Sequence, residues 1–471
     1  MFFPVSTQPE FEEQVTATLA AHDFLRPGKN AWLARAPGRL DVMGGNVDYT
    51  GGMVLQGLLR ESIWVASQSR SDNTLQIDNP DAVRFGWTPS LELTFDDLTD
   101  EKAVRATCTN QAAWGRYVVG GLYFLNRFFP RPGRTGLHLF VGSDLPPNKG
   151  VSSSAALTIA ALKACAVAWD IELSGVALAT AGQWVENVIA DSACGIMDQA
   201  AIVLGRKHHL LPLLCQPCRP SPMMALPQGV EFWGIDSQVR RSTTSAAYEI
   251  ARAAAFMGYR ILCEQDGNDV IPDENAPIPR WTDPRWHGYL SNLAPSEFRS
   301  RYERGLPESW SGREFLSRYE QHVDPFTKID PDAEYPIRAA VRYATEENLR
   351  VRMVSALLQS GCSQSSLQLI GELLCQSHVA YADCGLGAEA CDELVERAMK
   401  AGLLGAKMTG GGAGGVVALF GRTEDRHKVR SIARDFAGPQ VDMPYIFEGS
   451  SDGVDAYGVR TLQRDGRWGE R

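Results

Sequence analysis

The sequence predicts a two-domain protein in which helices and strands are mixed. Three observations lead there. The chain has 471 residues, well beyond the usual size of one domain. A proline-rich stretch, Leu213 to Pro227, reads as a junction. Strand-like and helix-like hydrophobic patterns occur on both sides of it. The expected domains are 1–220 and 221–471, the second carrying an insertion at about 267–335.

The composition, 44% hydrophobic and 22% charged, is that of a globular protein with a sizeable core. A net charge of -10 argues against nucleic acid or an anionic membrane surface as partner. No apolar run approaches the ~20 residues of a membrane span, and Met1 to Glu13 lacks the basic start of a signal peptide. The ten cysteines are too sparse for a disulfide scaffold, which predicts reduced thiols and a cytoplasmic protein. The lone CxxC, Cys215 and Cys218, lacks the second pair of a zinc site and reads as structural or incidental. Whether the protein is a monomer or a dimer is left open by the sequence.

Element by element, Pro9 to His22 has the pattern of an amphipathic helix and Ala31 to Ala36 that of a strand. Pro37 to Tyr49 reads as a glycine-rich loop loaded with Arg and Asp, ahead of a strand at Val54 to Leu58. Residues 60 to 100 alternate in strand fashion. Ala113 to Phe129 is helical, with Trp114, Tyr117 and Phe124 on a stripe that reads as core. The strand Gly136 to Val141 then feeds Leu145 to Leu157, where two prolines, Gly150 and three serines precede a small-residue helix. A helix start of this kind is either an ordinary capped end or a phosphate site, because its first N–H groups have no internal partner.

A helix over Leu178 to Ala190 carries Glu186, and Cys194 to Gln199 holds Asp198 among apolar neighbours, either as a cap or as a carboxylate kept for chemistry. Phe232 to Asp236 is a predicted strand and Ser242 to Gly258 a helix bearing Tyr248. The insertion is rich in Pro, Asp, Trp and Arg with weak periodicity, and helices are expected at Ile337 to Leu358 and Leu367 to Val379. Finally, five glycines in the six positions 410–415 precede the strand Val416 to Phe420. A loop so bare of side chains can lie flat against a ligand. It has no Walker GK[ST], and it does not open a helix as a dinucleotide fingerprint does.

Arg-Ala-Pro-Gly-Arg (35–39), Gly-Val-Ser-Ser-Ser-Ala-Ala (150–156) and Lys-Met-Thr-Gly-Gly-Gly-Ala-Gly-Gly (407–415), in that order, resemble the three motifs of the GHMP sugar and metabolite kinases. Within that family, Cys194 to Gln199 and Ser245-Ala246-Ala247-Tyr248 look like galactokinase. The resemblance implies an α+β fold of two domains with the active site in the cleft between them. It implies a sugar 1-kinase using ATP and Mg2+, with a small sugar as the other partner. Asp198 matches the general base and Arg39 the cation beside it. Ser154 and Glu186 match the Mg2+ ligands. Asp48, Tyr248, Asn46, Gly45 and Gly195 fall on the sugar-binding positions. Asn148, Lys149, Gly150, Val151, Ser152, Ser153, Ser154 and Ala155 fall on the ATP phosphate loop, and Trp114 matches an aromatic near adenine. Gly410, Gly411, Gly412 and Gly414 belong to the third motif.

The departures narrow the expectation. Galactokinases carry Gly-Glu-His-x-Asp in the first motif, and the Glu grips the sugar's exocyclic hydroxymethyl. This chain has Gly44-Gly45-Asn46-Val47-Asp48. L-Arabinopyranose is galactose without that hydroxymethyl, so the resemblance implies L-arabinose as the acceptor and L-arabinose 1-phosphate as the product, with D-galactose as the alternative. By the same reasoning Gly45→Glu is expected to move preference toward galactose. Asp41 to Gly45, Phe232 to Ser237 and Ile446 to Ser451 also look like the kinase part of plant arabinokinases, whose further N-terminal domain this chain is expected to lack. A sugar sensor without catalysis is the rival, opposed by Ser154-Ala155, Arg39 and Asp198. Asn148 departs from the glycine of many relatives.

Overall fold

The computed structural model describes residues 8–26, 28–239, 246–274, 276, 278–361, 363–437, 444–463 and 468–470. Two sheets organise them. The larger, of ten strands, is built on two long antiparallel strands, β1 (Ala31–Met43) and β2 (Met53–Ser69). Beyond β2 lie β5 (Leu137–Ser143), β3 (Thr74–Asp78) and β4 (Ser90–Thr94), with β3 and β5 parallel. β6 (His209–Leu214) pairs with the start of β2 and with two short strands. The smaller sheet has four strands in the order β8 (Gly405–Met408), β9 (Val416–Arg422), β7 (Val230–Asp236), β10 (Ile446–Phe447). β11 (Val459–Leu462) then returns to the large sheet and pairs with Ala31 to Ala34 of β1, and β12 (Trp468–Glu470) pairs with β11. We keep the division at 220/221 as a proposal, with Val459–Leu462 and Trp468–Glu470 joining the first sheet across it.

Helix α1 (Gln8–Ala21) precedes β1, and small side chains decide the packing of helices α2 (Gly115–Phe128) and α3 (Ser153–Ala168). Helix α3 is apolar nearly all round, and Ala155, Ala156, Ala160, Ala161 and Ala164 are buried. It lies against both β1 and β2, and α2 packs on it through Gly121 against Leu162. Their close approach is possible because Gly121 carries no side chain and leaves room for Leu162. α4 (Gly175–Trp184) ends early. Its continuation, Val185 to Ile189, is a π-helical turn, and the predicted helix through Ala190 is thus interrupted where it carries Glu186.

The predicted loop from Pro37 to Tyr49 is a correction. Pro37-Gly38 breaks the register of β1 with β2 without ending the strand, which runs on to Met43, and the loop begins at Gly44. A bulge tolerates proline and glycine because its residues leave the ladder. Arg39 turns its amide to the Val151 carbonyl instead, at 3.1 Å. The bulge therefore ties β1 to the serine-rich loop.

Helix α6 (Ala246–Gln265) carries Tyr248, and the predicted start at Ser242 lies outside the described residues. α6 packs against α7 (Ile337–Gln359), and the insertion builds its own small core on them from Trp286, Phe298 and Phe315. Within it are short strand pairs and single turns, the low regularity its sequence predicts. α8 (Gln364–Asp383) and α9 (Glu389–Lys400) cover the small sheet. Cys215 and Cys218 are both free thiols, and among the described residues no helix is long and apolar enough to cross a membrane.

Candidate active site

A cleft of about 390 Å³ opens between the two sheets. Its floor comes from one contact across the fold. Arg39, buried at 2% exposure on β1, reaches the carboxylate of Asp198, in the first turn of helix α5 (Met197–Leu204). Arg39 Nε donates to Asp198 Oδ1 at 2.8 Å and Nη2 lies 2.7 Å from the same atom. Arg39 Nη1 donates to the Gly150 carbonyl at 2.8 Å. The guanidinium is thus spent on one carboxylate oxygen and on the serine-rich loop, and Asp198 Oδ2 is left toward the cleft.

Beside this pair sits Asp48, 7% exposed, with the Met197 amide donating to its Oδ2 at 3.5 Å. Burial, and then the charge of Asp198, push its pKa up to about 6, while Arg252 pulls the other way. Gly195 explains how the carboxylate fits. A Cβ at position 195 would lie on the Asp48 carboxylate, so only glycine permits the approach. Asn46 and Tyr248 complete this end of the cleft.

At the phosphate-loop end, Ser152 is the N-cap of α3 in the left-handed region (φ 62°, ψ 39°), yet its side chain caps nothing. Its hydroxyl is buried and finds no hydrogen-bond partner among the described residues. The first-turn amides of α3 are therefore not capped by Ser152, as an anion site needs. Asn148 has φ 60°, a conformation that glycine and asparagine tolerate best, so its departure from glycine preserves the loop backbone. Lys149 is tied to Asp236 of β7 at 2.7 Å. Ser152, Ser153 and Ser154 line the cleft; Val151 and Ala155 are buried behind them.

Glu186 is 2% exposed, accepts from Gln199 Nε2 at 2.6 Å and is hydrogen-bonded to Ser154. Burial pushes its carboxyl up to about 7. Among the described residues no cluster of three or more His, Cys, Asp and Glu side chains forms a metal cage. Ser154 and Glu186 offer two adjacent hard oxygens, which suits a divalent cation that takes its remaining ligands from phosphates and water.

The far end is rich in aromatic and apolar side chains, with Asn79, Asp81 and Arg84 beside them. Trp114, Trp87, Phe85, Pro146 and Leu157 line it, with Phe85 and Trp87 rings 4.9 Å apart and Trp114 Nε1 donating to the Thr88 carbonyl at 2.9 Å. Trp114 was expected here; Phe85 and Trp87 were not. They stand around a 3-10 turn, Pro80–Phe85, in a stretch that reads as alternating strand. The available signal was Asn79-Pro80 followed by Phe85-Gly86-Trp87, turn residues flanked by aromatics.

Two expectations change. Of the four glycines named in the third motif, only Gly411 lines the cleft. A Cβ at Gly412 or Gly414 would press on Leu386 or Val239, and the Gly410 carbonyl accepts from the Tyr381 hydroxyl at 2.6 Å. Much of the glycine content serves packing between protein segments. The Gly45→Glu expectation is overturned. Gly45 does not line the cleft, and a Cβ there would strike the Tyr381 hydroxyl and lie 2.5 Å from the Gly410 carbonyl and 2.6 Å from Asp41 Oδ2. A side chain added to this backbone points into the protein, away from the sugar end.

Comparison with known proteins adds to this geometry. Residues 116–206 match the GHMP kinases N terminal domain, 353–438 the GHMP kinases C terminal domain, and 24–69 the galactokinase galactose-binding signature. An L-arabinokinase of Arabidopsis thaliana is 33% identical over 92% of this chain, which spans 47% of that protein, about half its length. A galactokinase of Chloroflexus aggregans is 30% identical over 81% of this chain and 82% of its own. Among solved structures, Lactococcus lactis galactokinase complexed with galactose superposes with a TM-score of 0.71 at 20% identity, covering 94% of this chain and 98% of that one. A mevalonate kinase gives 0.55 at 14%, covering 89% and 99%.

Proposed function

The chain belongs to the GHMP kinases, as a sugar kinase of the galactokinase and arabinokinase type, and from that premise we propose that it phosphorylates the anomeric hydroxyl of L-arabinose with ATP. The observation that carries the sugar-kinase chemistry is the Arg39–Asp198 pair, with Asp48 and Tyr248 on one side and the open start of α3 on the other. Asp198 Oδ2 accepts the proton of the anomeric hydroxyl as its oxygen attacks the γ-phosphorus, and the bond from that phosphorus to the ADP oxygen breaks. Arg39 holds the base in place and offsets charge gathering on the transferred group. Positioning and electrostatics supply most of the catalysis in such a transfer.

Ser154 and Glu186 would hold Mg2+, which supplies charge neutralisation on the phosphates. The α3 amides receive the phosphates, and the Phe85, Trp87 and Trp114 surfaces receive the adenine. Arabinose is favoured by the words Asp41 to Gly45, Phe232 to Ser237 and Ile446 to Ser451, which look like the kinase part of plant arabinokinases. The greater likeness to the arabinokinase supports the same choice. Galactose is the second reading, supported by the galactose-binding signature over 24–69. A coupled ADP-release assay on L-arabinose and D-galactose separates them. Higher kcat/KM on arabinose is expected, and higher kcat/KM on galactose refutes the assignment.

A further inference from the structure

The loop from Gly44 to Gly52, between β1 and β2, brings Asn46 and Asp48 to the cleft. Its first turn is costly to hold. Gly44 and Asn46 have φ of 98° and 59°, on either side of Gly45. Asparagine enters that region more readily than most residues, but still at a cost. Bonds within the loop serve its later part: the Val47 amide donates to the Gly44 carbonyl at 3.3 Å, and the Gly52 amide to the Val47 carbonyl at 2.7 Å. The Gly44 amide and the Gly45 carbonyl are met from elsewhere.

Helix α7, from the other half of the chain, meets them. Tyr343 donates its hydroxyl to the Gly45 carbonyl at 2.7 Å, in the peptide that leads into Asn46. A carbonyl only accepts, so the direction of this bond is fixed. Glu347 Oε1 accepts from the Gly44 amide at 3.2 Å. Four residues apart, Tyr343 and Glu347 project from one face of the helix. They are 4% and 0% exposed, and neither lines the cleft. Glu347 is fixed in turn, because Arg350 Nε donates to its Oε2 and the Ser377 hydroxyl to its Oε1, both at 2.7 Å. The Tyr343 ring meets Tyr381 edge to face, with centres 5.3 Å apart. One residue beyond Glu347, Asn348 Oδ1 accepts from the Met53 amide at 2.9 Å, where β2 begins.

We propose that Tyr343 and Glu347 are positioning residues for the sugar: by holding the Gly44 amide and the Gly45 carbonyl they set the direction in which Asn46 and Asp48 face the cleft. Sugar recognition then draws on both halves of the chain, the loop supplying contact and α7 supplying orientation. This rests on the reading of Asn46 and Asp48 as sugar-binding residues.

The test is steady-state kinetics of the full chain on whichever of L-arabinose and D-galactose the wild type turns over faster, with KM measured separately for sugar and ATP. Tyr343→Phe removes one hydroxyl and keeps the ring against Tyr381. It is expected to raise the sugar KM about threefold to tenfold, the scale of one buried hydrogen bond, and to leave the ATP KM unchanged. Glu347→Gln keeps an acceptor for Gly44 but gives up the charge facing Arg350, and a sugar KM raised about threefold is expected. Tyr335→Phe removes another buried tyrosine hydroxyl, one that accepts from the Asp330 amide at 2.8 Å, and is expected to change neither constant even where it lowers the melting temperature. An unchanged sugar KM in Tyr343→Phe, or sugar and ATP KM rising together, overturns the inference. Asp48→Asn separates the two readings: a raised sugar KM there with none in Tyr343→Phe overturns this inference alone, and an unchanged one overturns the sugar-binding loop and this inference with it.

Discussion

Arg39 places Nε and Nη2 on the same oxygen of Asp198, at 2.8 and 2.7 Å, and so leaves the second oxygen of that carboxylate uncommitted. A base held this way has a fixed direction and one free lone-pair face. Asp198→Asn should therefore fold, because the amide oxygen can still accept from Arg39, and should lose at least ~10²-fold in kcat. Turnover near wild type removes Asp198 from the base role. Circular dichroism and thermal unfolding serve as the folding control.

Asp48 gives the expected acid limb. Its carboxyl is pushed up to about 6 by burial and then by the charge of Asp198. A sugar hydroxyl donates to the ionised form, so kcat/KM for the sugar should rise with pH through about 6 and fall below it. Asp48→Asn should weaken sugar binding and abolish that limb. A pH profile of kcat/KM, sugar varied and ATP saturating, is the measurement.

Glu186 titrates higher, at about 7 against an ordinary 4.5, chiefly through burial. An acid with a raised native pKa adds stability that is full below its unfolded value and is lost as pH rises through its native one. The metal-free protein should therefore lose stability between pH 4.5 and 7, by at most about 1.4 kcal/mol for each pH step of one across that window. Mg2+ with ATP should restore melting temperature most at the alkaline end, where the carboxylate is ionised. Glu186→Gln should flatten the pH dependence and raise the Mg2+ concentration needed for half activity.

Gly45→Ala tests the packing behind the first motif. The added methyl would meet the Tyr381 hydroxyl and the Gly410 carbonyl, and backbone cannot swing aside as a side chain does. A loss of roughly 1–3 kcal/mol in stability is expected from such overpacking. Chemical denaturation measures it, and an unchanged midpoint contradicts the packing.

The aromatic end makes a last expectation. Trp87→Ala should raise the ATP KM and spare the sugar KM, since Trp87 lines the far end of the cleft, away from Asp48. Equal changes in both constants would place the adenine elsewhere.

Much of this was legible in the chain because the motifs are local. Helix α3 and its serine-rich start, Asp198 near a helix beginning and Gly195 before it can all be read from neighbours in sequence. Pro37-Gly38 misled, because a bulge and a loop share their residue types, and only pairing with Leu58 to Ser62 across the sheet distinguishes them. Phe85 and Trp87 were hidden because a 3-10 turn of six residues leaves no periodicity to detect. Gly45 failed for a third reason. Its missing side chain reads as space for ligand, while the fold brings Tyr381, hundreds of residues away, into that direction. The bond from Tyr343 to Gly45 is equally remote, a pairing between a loop and a regular helix.

Strand β11 closes against Ala34 and its neighbours only after hundreds of intervening residues have been made. During synthesis, the outer rim of β1 emerges from the ribosome with its amides and carbonyls bare and stays so until Val459 to Leu462 appear. An open rim of that kind recruits other strands. A fragment cut at residue 220 should therefore self-associate, and the nascent chain carries the same hazard throughout translation.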